Sequence, residues 1–301
     1  MPDTLTPEDW DLLLGRIKSG KCTPFLGAGA NYPILSSGTA IARKWAEDYH
    51  YPLADASDLA RVAQYLAIRR RDAMWPKEKI LAVLDEECGR SELDNELRAP
   101  ASILGVLAAL PLPVYITTNY DDFMFRALAL HGKQPRIELC RWNELLLRRQ
   151  KSLFDRKCGF VPSVQQPLVF HLHGHRSVVE SLVLTEDDYL DFLISVSRQD
   201  DLLPAVIQEA VTGTSLLFIG YRLADLNFRV LFRGLVNSME GSLRRINVAV
   251  QLPPGEVPAS ERPNAQAYLD QYFDKVQVRV FWDTAEEFAR QLRTRWEALP
   301  K

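Results

Sequence analysis

The side chains of this sequence best suited to chemistry are an asparagine and an aspartate two residues apart, Asn119 and Asp121, and three histidines at 171, 173 and 175. The first pair closes the stretch Val114–Asp121, Val-Tyr-Ile-Thr-Thr-Asn-Tyr-Asp. An apolar, β-branched run that ends abruptly in polar residues, with a helical pattern following at once, reads as a buried parallel strand. Such a strand delivers side chains into a crevice at its carboxyl end. Asn119 and Asp121 point the same way if the strand continues, and can still face one ligand if the chain has begun to turn. The histidines end a second strand, Pro167-Leu-Val-Phe-His-Leu-His-Gly-His175, where alternation puts all three on one face while the chain stays extended. Imidazole titrates near neutrality and serves as base, acid or metal ligand. No carboxylate lies nearby in sequence and Gly174 breaks the strand, which favours a single catalytic histidine with structural neighbours over a metal centre.

Two further strand ends share this grammar. Thr23-Pro-Phe-Leu-Gly-Ala-Gly-Ala-Asn31 is an apolar strand running into a turn with Gly27 and Gly29, where the backbone can approach a ligand and a following helix can aim free N–H groups at phosphate. The dinucleotide fingerprint G-x-G-x-x-G is incomplete because Tyr32 holds the third glycine's place, and an ordinary tight turn is the competing reading. Ser215-Leu-Leu-Phe-Ile-Gly-Tyr-Arg-Leu-Ala-Asp-Leu-Asn227 ends its strand at Gly220, with Asp225 as N-cap of a helix over Phe228–Leu235.

The elements that must hold these residues alternate between strand and helix, which predicts an α/β fold with a doubly wound parallel sheet. Thr6 caps a helix to Ile17, with Pro7 at its first position and Asp9 in its first turn. Residues 40–97 carry apolar side chains at three- and four-residue spacing (Ile41, Trp45, Leu59, Val62, Leu66, Ile80, Leu84), a helical insertion or cap beside the first βα unit. Trp45, Tyr65 and Trp75 read as core residues there. Helices are expected at Ile103–Leu110 and Phe123–Leu130, a short strand at Arg136–Cys140 and a basic amphipathic helix near Trp142–Leu153. Leu182–Leu184 reads as a strand end before a helix capped by Thr185 and Asp188. Arg245–Gln251 and Lys275–Trp282 complete the strands, and Thr284–Leu299 closes the chain as an amphipathic helix, so that 240–301 forms a C-terminal unit of one domain spanning 1–301.

Composition narrows the class. The chain has 301 residues, 47% hydrophobic and 25% charged, with a formal net charge of −3, which gives no electrostatic case for nucleic acid or an anionic membrane as partner. The longest apolar stretch, Ala101–Ile116, is interrupted by Pro111 and Pro113, and the first ten residues lack the basic and apolar regions of a signal peptide. Cys22, Cys88, Cys140 and Cys158 form no Cys-x-x-Cys pair, so no paired-cysteine zinc site is expected and a reducing cytoplasm is the natural compartment.

Taken in order, Gly27-Ala-Gly-Ala, Thr117-Thr-Asn-Tyr-Asp121, Leu172-His-Gly174 and Gly220-Tyr-Arg-Leu-Ala-Asp-Leu-Asn227 resemble the sirtuin-like NAD-binding superfamily, in the branch typical of prokaryotic defence proteins. The resemblance spans roughly residues 20 to 250. It implies a Rossmann-like domain with Gly27, Ala28, Gly29, Ala30 and Asn31 as the pyrophosphate loop. Asn119 would lie at the ribose, Asp121 would orient the ribose or brace the loop, Thr118 and Tyr120 would bind NAD beside them, His173 rather than His171 or His175 would be the catalytic histidine, and Gly220, Tyr221, Asp225 and Asn227 would close on the adenosine half. Two departures count: the zinc-module cysteine pairs of protein-deacylating sirtuins are missing, and the glycine loop continues as Asn-Tyr-Pro-Ile-Leu. The resemblance therefore favours hydrolysis of NAD as substrate over deacylation, with a non-catalytic NAD or ADP-ribose module as the alternative. Asn119 would fix the ribose and the attacking water, and His173, near neutral pKa, would act as base. By the same resemblance the chain would be an NAD-depleting effector controlled by homo-oligomerisation or by a separate sensor or ATPase partner.

Overall fold

The computed structural model describes residues 5–155, 158–198, 202–222, 246–254, 257–258 and 260–300. Asp225, Asn227 and the helix expected over 228–235 lie outside the described residues.

Seven strands, β1 (Cys22–Leu26), β2 (Val114–Thr117), β3 (Arg136–Leu139), β4 (Leu168–His171), β5 (Ser215–Ile219), β6 (Asn247–Gln251) and β7 (Val278–Trp282), form one sheet in the order β3-β4-β2-β1-β5-β6-β7. Every neighbouring pair is parallel. The chain winds from β1 outward to β3, returns through β4 and crosses to β5 on the far side of β1. The reversal between β1 and β5 is the topological switch point at which open α/β sheets bind ligands.

Both faces of the sheet are covered, which is why β1, β2, β4 and β5 are buried at every residue instead of alternating with polar ones. Cys22, Leu26, Tyr115, Val169, Leu217 and Ile219 face one core. There they meet α1 (Pro7–Lys18), α6 (Ile103–Ala109), α7 (Phe123–Leu130) and α12 (Ala285–Glu297) through Trp10, Ile103, Phe123 and Phe288. The interleaved Phe25, Ile116, Leu168, Phe170, Leu216 and Phe218 face the other core. That core is closed by α9 (Glu186–Arg198), α10 (Ala205–Gly213) and α11 (Arg262–Asp274) through Phe192, Ile207 and Phe273. The α1 start is as expected: Asp9 N–H donates to Thr6 Oγ1 at 3.1 Å and Thr6 N–H to Asp9 Oδ2 at 3.0 Å.

Between β1 and β2 stand α2 (Gly38–Asp48), α3 (Leu59–Arg70), α4 (Trp75–Cys88) and α5 (Leu93–Arg98). The first three build a separate apolar cluster from Ala42, Trp45, Val62, Leu66 and Ile80, to which Leu182 and Leu184 also belong. The end of the insertion joins the main core through Cys88, Leu93 and Leu97. None of the helices among the described residues is long and apolar enough to cross a membrane.

Three local expectations change. The helix near 142–153 is only α8 (Glu144–Arg149), because Glu138 takes the Ser152 hydroxyl at 2.9 Å and the Leu153 N–H at 2.6 Å, drawing the chain onto β3. Residues 182–184 form no strand: Val183 N–H bonds the His173 carbonyl in the turn after β4, and Leu182 and Leu184 pack into the helical cluster. Helices α10 and α11 were not expected from the pattern.

Candidate functional site

Parallel pairing places the four motif-bearing strand ends on one edge, and the register aligns them. Ile219 lies opposite Leu26, Leu26 opposite Thr117, and Thr117 opposite His171, so the last residues of β5, β1, β2 and β4 form one row. The four loops start from that row.

At β1 and β5 the loops are joined through backbone. Gly27 N–H donates to Ile219 O at 2.8 Å and Gly29 N–H to Gly220 O at 3.0 Å. Gly220 has φ +82°, and a Cβ there would fall 2.1 Å from Ala30 N, while one on Gly27 would fall 2.7 Å from Gly220 O. These glycines are bare because two loops cross, and only Ala28 and Gly29 of Gly27–Asn31 are exposed. The segment Ala28–Asn31 is a single 3-10 turn, too short to present a helix N-terminus to phosphate. Tyr221 ties this half to β2: its hydroxyl donates to Leu26 O at 2.8 Å and lies 2.8 Å from Thr118 Oγ1.

At β2 and β4 side chains make the connections. Asn119 donates from Nδ2 to Gly27 O at 3.1 Å and from its backbone N–H to Thr117 Oγ1 at 3.0 Å. Asn31 and Asp121, both expected at the ligand, are buried and bonded to each other, Asn31 Nδ2 donating to Asp121 Oδ2 at 2.5 Å. The other Asp121 oxygen accepts the Phe123 N–H at 3.0 Å, and burial, ahead of the nearby Asp122 charge, raises its pKa to about 6. Tyr120 is turned toward the helical cluster and donates to Val183 O at 2.5 Å.

The three histidines do not share a face. The strand ends at His171, the chain turns at Leu172 and His173, and Gly174 takes φ +92°, where a Cβ would fall 2.2 Å from Ser181 O. His171 and His175 come together, ring centroids 4.5 Å apart. His171 Nδ1 lies 3.0 Å from Asn119 O, which can only accept, so Nδ1 carries the proton. His175 Nδ1 accepts the Ser177 N–H at 3.2 Å, which leaves its proton on Nε2. Both Nε2 atoms are buried without a hydrogen bond, and burial pushes the two pKa values down to about 3 and about 4. His173 stands apart, its ring met edge-on by Tyr189 at 5.3 Å and Phe192 at 4.9 Å. Expected near neutrality, it is pushed down to about 3 by burial. Among the described residues no three His, Cys, Asp or Glu side chains are grouped to hold a metal.

A family model described as SIR2-like domain matches residues 113–280, more than half of the chain. The chain belongs to the SIR2-like family. This SIR2-like chain is also similar to the protein named NAD(+) hydrolase ThsA from Enterococcus faecium, 26% identical over 222 residues that cover 70% of this chain and 39% of the relative. ThsA from Bacillus cereus (strain MSX-D12) is 24% identical over 222 residues, covering 73% and 41%, and that from Acinetobacter baumannii 23% over 225, covering 72% and 39%. The SIR2-like chain thus spans about two fifths of the length of the curated relatives it matches.

Sequence reasoning missed Tyr189 and Phe192, the walls of the His173 site. Their i, i+3 spacing on α9 shows a helix face but not what that face meets. It also missed Val183, whose N–H donates to His173 O at 3.0 Å and fixes the turn that carries the imidazole.

Proposed function

We propose that this SIR2-like chain is an NAD hydrolase that cleaves the nicotinamide–ribose bond to give nicotinamide and ADP-ribose. The observation that carries the reading is that Asn119 and His173 leave the ends of adjacent strands β2 and β4, one strand from the switch point, in a chain whose relatives bear the name NAD(+) hydrolase. In the proposed step the C1′–N bond breaks with its electron pair kept by the nicotinamide nitrogen, and oxocarbenium character builds on the ribose. Asn119 holds a ribose hydroxyl and the incoming water. His173, neutral at physiological pH, takes the proton as the water oxygen bonds to C1′.

Ala28 and Gly29 are the exposed part of the pyrophosphate loop, backed by Gly220 and Tyr221. Asn31 and Asp121 brace the loops from behind, and Asp225 and Asn227 are assigned to the adenosine half by the resemblance alone. That resemblance is also the basis for proposing a cytoplasmic effector that depletes NAD in antiphage defence, controlled by assembly or by a sensor or ATPase partner.

The test is NAD consumption by the purified chain with both products resolved, against His173→Ala. The substitution should cost about two to four orders of magnitude in rate. Hydrolysis by the variant at the parent rate would sink the assignment. A second reading, a module that holds NAD or ADP-ribose without turnover, is favoured by the low basicity of His173. Saturable ADP-ribose binding with no turnover, alone or with its assembled partner, would select it.

A further inference from the structure

Helix α9 begins with three consecutive acidic residues, and each takes a partner from the helical insertion. Glu186 Oε1 lies 3.3 Å from Arg61 Nε, and Asp187 exchanges two hydrogen bonds with Gln64, at 2.7 and 3.1 Å. Asp188 Oδ1 accepts Lys77 Nζ at 2.7 Å, in a pair whose side chains are only 14% and 7% exposed. The first two pairs are exposed and contribute little, whereas the third is a desolvated ion pair in which each charge depends on the other.

Asp188 has a second task. Its Oδ2 accepts the Leu184 and Thr185 N–H groups at 3.1 and 2.9 Å, closing the capping box with Thr185. One carboxylate therefore joins α4, the 182–185 segment and the start of α9. Two of these pieces, α9 and the 182–185 segment, meet His173 directly. Tyr189 follows Asp188 directly, Phe192 lies one turn on, and Val183, between the cap-facing Leu182 and Leu184, bonds the His173 carbonyl.

We propose that Lys77 and Asp188 are positioning residues for His173, and that the helical insertion governs the imidazole through them. The proposal rests on the reading of His173 as the base. Lys77 holds the first turn of α9 against the insertion, which keeps Tyr189 and Phe192 closed over the ring and excludes water from it. Tyr189 is the titratable side chain in ring contact with His173, and burial pushes the pKa of His173 down. Releasing α9 readmits water, so the pKa climbs toward its ordinary value while the ring loses its alignment.

The experiment is a proton NMR titration of His173 in the full chain, assigned by loss of its resonance in His173→Ala, comparing the parent with Lys77→Gln and Lys77→Arg. Lys77→Gln should raise the His173 midpoint by about one pH unit or more, and Lys77→Arg should restore it. NAD hydrolysis by Lys77→Gln should show kcat lowered about tenfold with KM little changed. If Lys77→Gln does not fold, the pair-removing variant Lys77→Met with Asp188→Asn, which keeps an oxygen for the cap, reads the same shift. An unmoved midpoint in a folded variant overturns the proposal and leaves the hydrolase reading intact. A moved midpoint in a protein whose His173→Ala variant still cleaves NAD at the parent rate retains the positioning but removes the base.

Discussion

The two halves of the strand-end row are built differently. Where β1 meets β5, backbone bonds backbone and three glycines let two loops cross at a distance no side chain tolerates. In the half formed by the ends of β2 and β4, side chains do the joining, two of them to the loop after β1: Asn119 to Gly27, Asn31 to Asp121, His171 to the Asn119 carbonyl. The second half also keeps buried polar atoms without hydrogen bonds, on His171, His175 and Asp122. The contrast teaches a division of labour. One half is a joint held by backbone hydrogen bonds, with the pKa of the Tyr221 hydroxyl pushed up by burial, and the other is a set of ionisable groups whose state depends on burial.

Substitutions can break that contrast from either side. The largest effect on stability is expected at the joint: Gly220→Ala puts a Cβ 2.1 Å from Ala30 N at a positive φ, and should cost about 3 kcal/mol or more in chemical denaturation. A cost under about 1 kcal/mol would mean that the loops separate easily and the joint is not fixed.

Acid should act on the other half. His171, His173 and His175 stay neutral in the fold down to about 3, 3 and 4 but protonate near 6.5 when unfolded, so each withdraws stability as pH falls below 6.5. Asp121 has the opposite sign, since the folded chain takes up its proton at about 6 and the unfolded one only at 3.8, which adds stability between those values. Three groups against one leave a net loss on the order of 4 kcal/mol between pH 6.5 and 5, seen as a falling Tm. A flat Tm over that interval would show the imidazoles to be hydrated. Smaller still is Asn31→Ala, which leaves one buried Asp121 oxygen unpaired, should cost about 1–2 kcal/mol, and raises the Asp121 pKa further because the lost bond had lowered it. An NMR titration of the Asp121 carboxyl checks the direction.

What the sequence made legible follows the same division. Buried parallel strands announce themselves as unbroken apolar runs, so β1, β2, β4 and β5 were readable. The contacts of the second half join residues far apart. Asn31 meets Asp121 across 90 positions and Lys77 meets Asp188 across 111, separations that no spacing rule reaches. The histidine alternation failed at the turn after His171, where Gly174 takes a conformation that period-two reasoning does not anticipate. Helix α11 escaped because Phe273 is its one buried residue, leaving no apolar stripe to count.

The register row has a consequence for how substrate preference can change. Neighbouring strands stand about 4.8 Å apart, so four strand ends lay out loops over about 14 Å in a line. On the proposed hydrolase reading, a dinucleotide lying along that line would meet each loop with a different chemical portion, phosphate at one, sugar at the next, base beyond. Because the sheet holds the starting points constant, one loop can lengthen or change sequence without displacing the others. On that reading, selectivity for each portion would be modular, each recognition element free to change by itself.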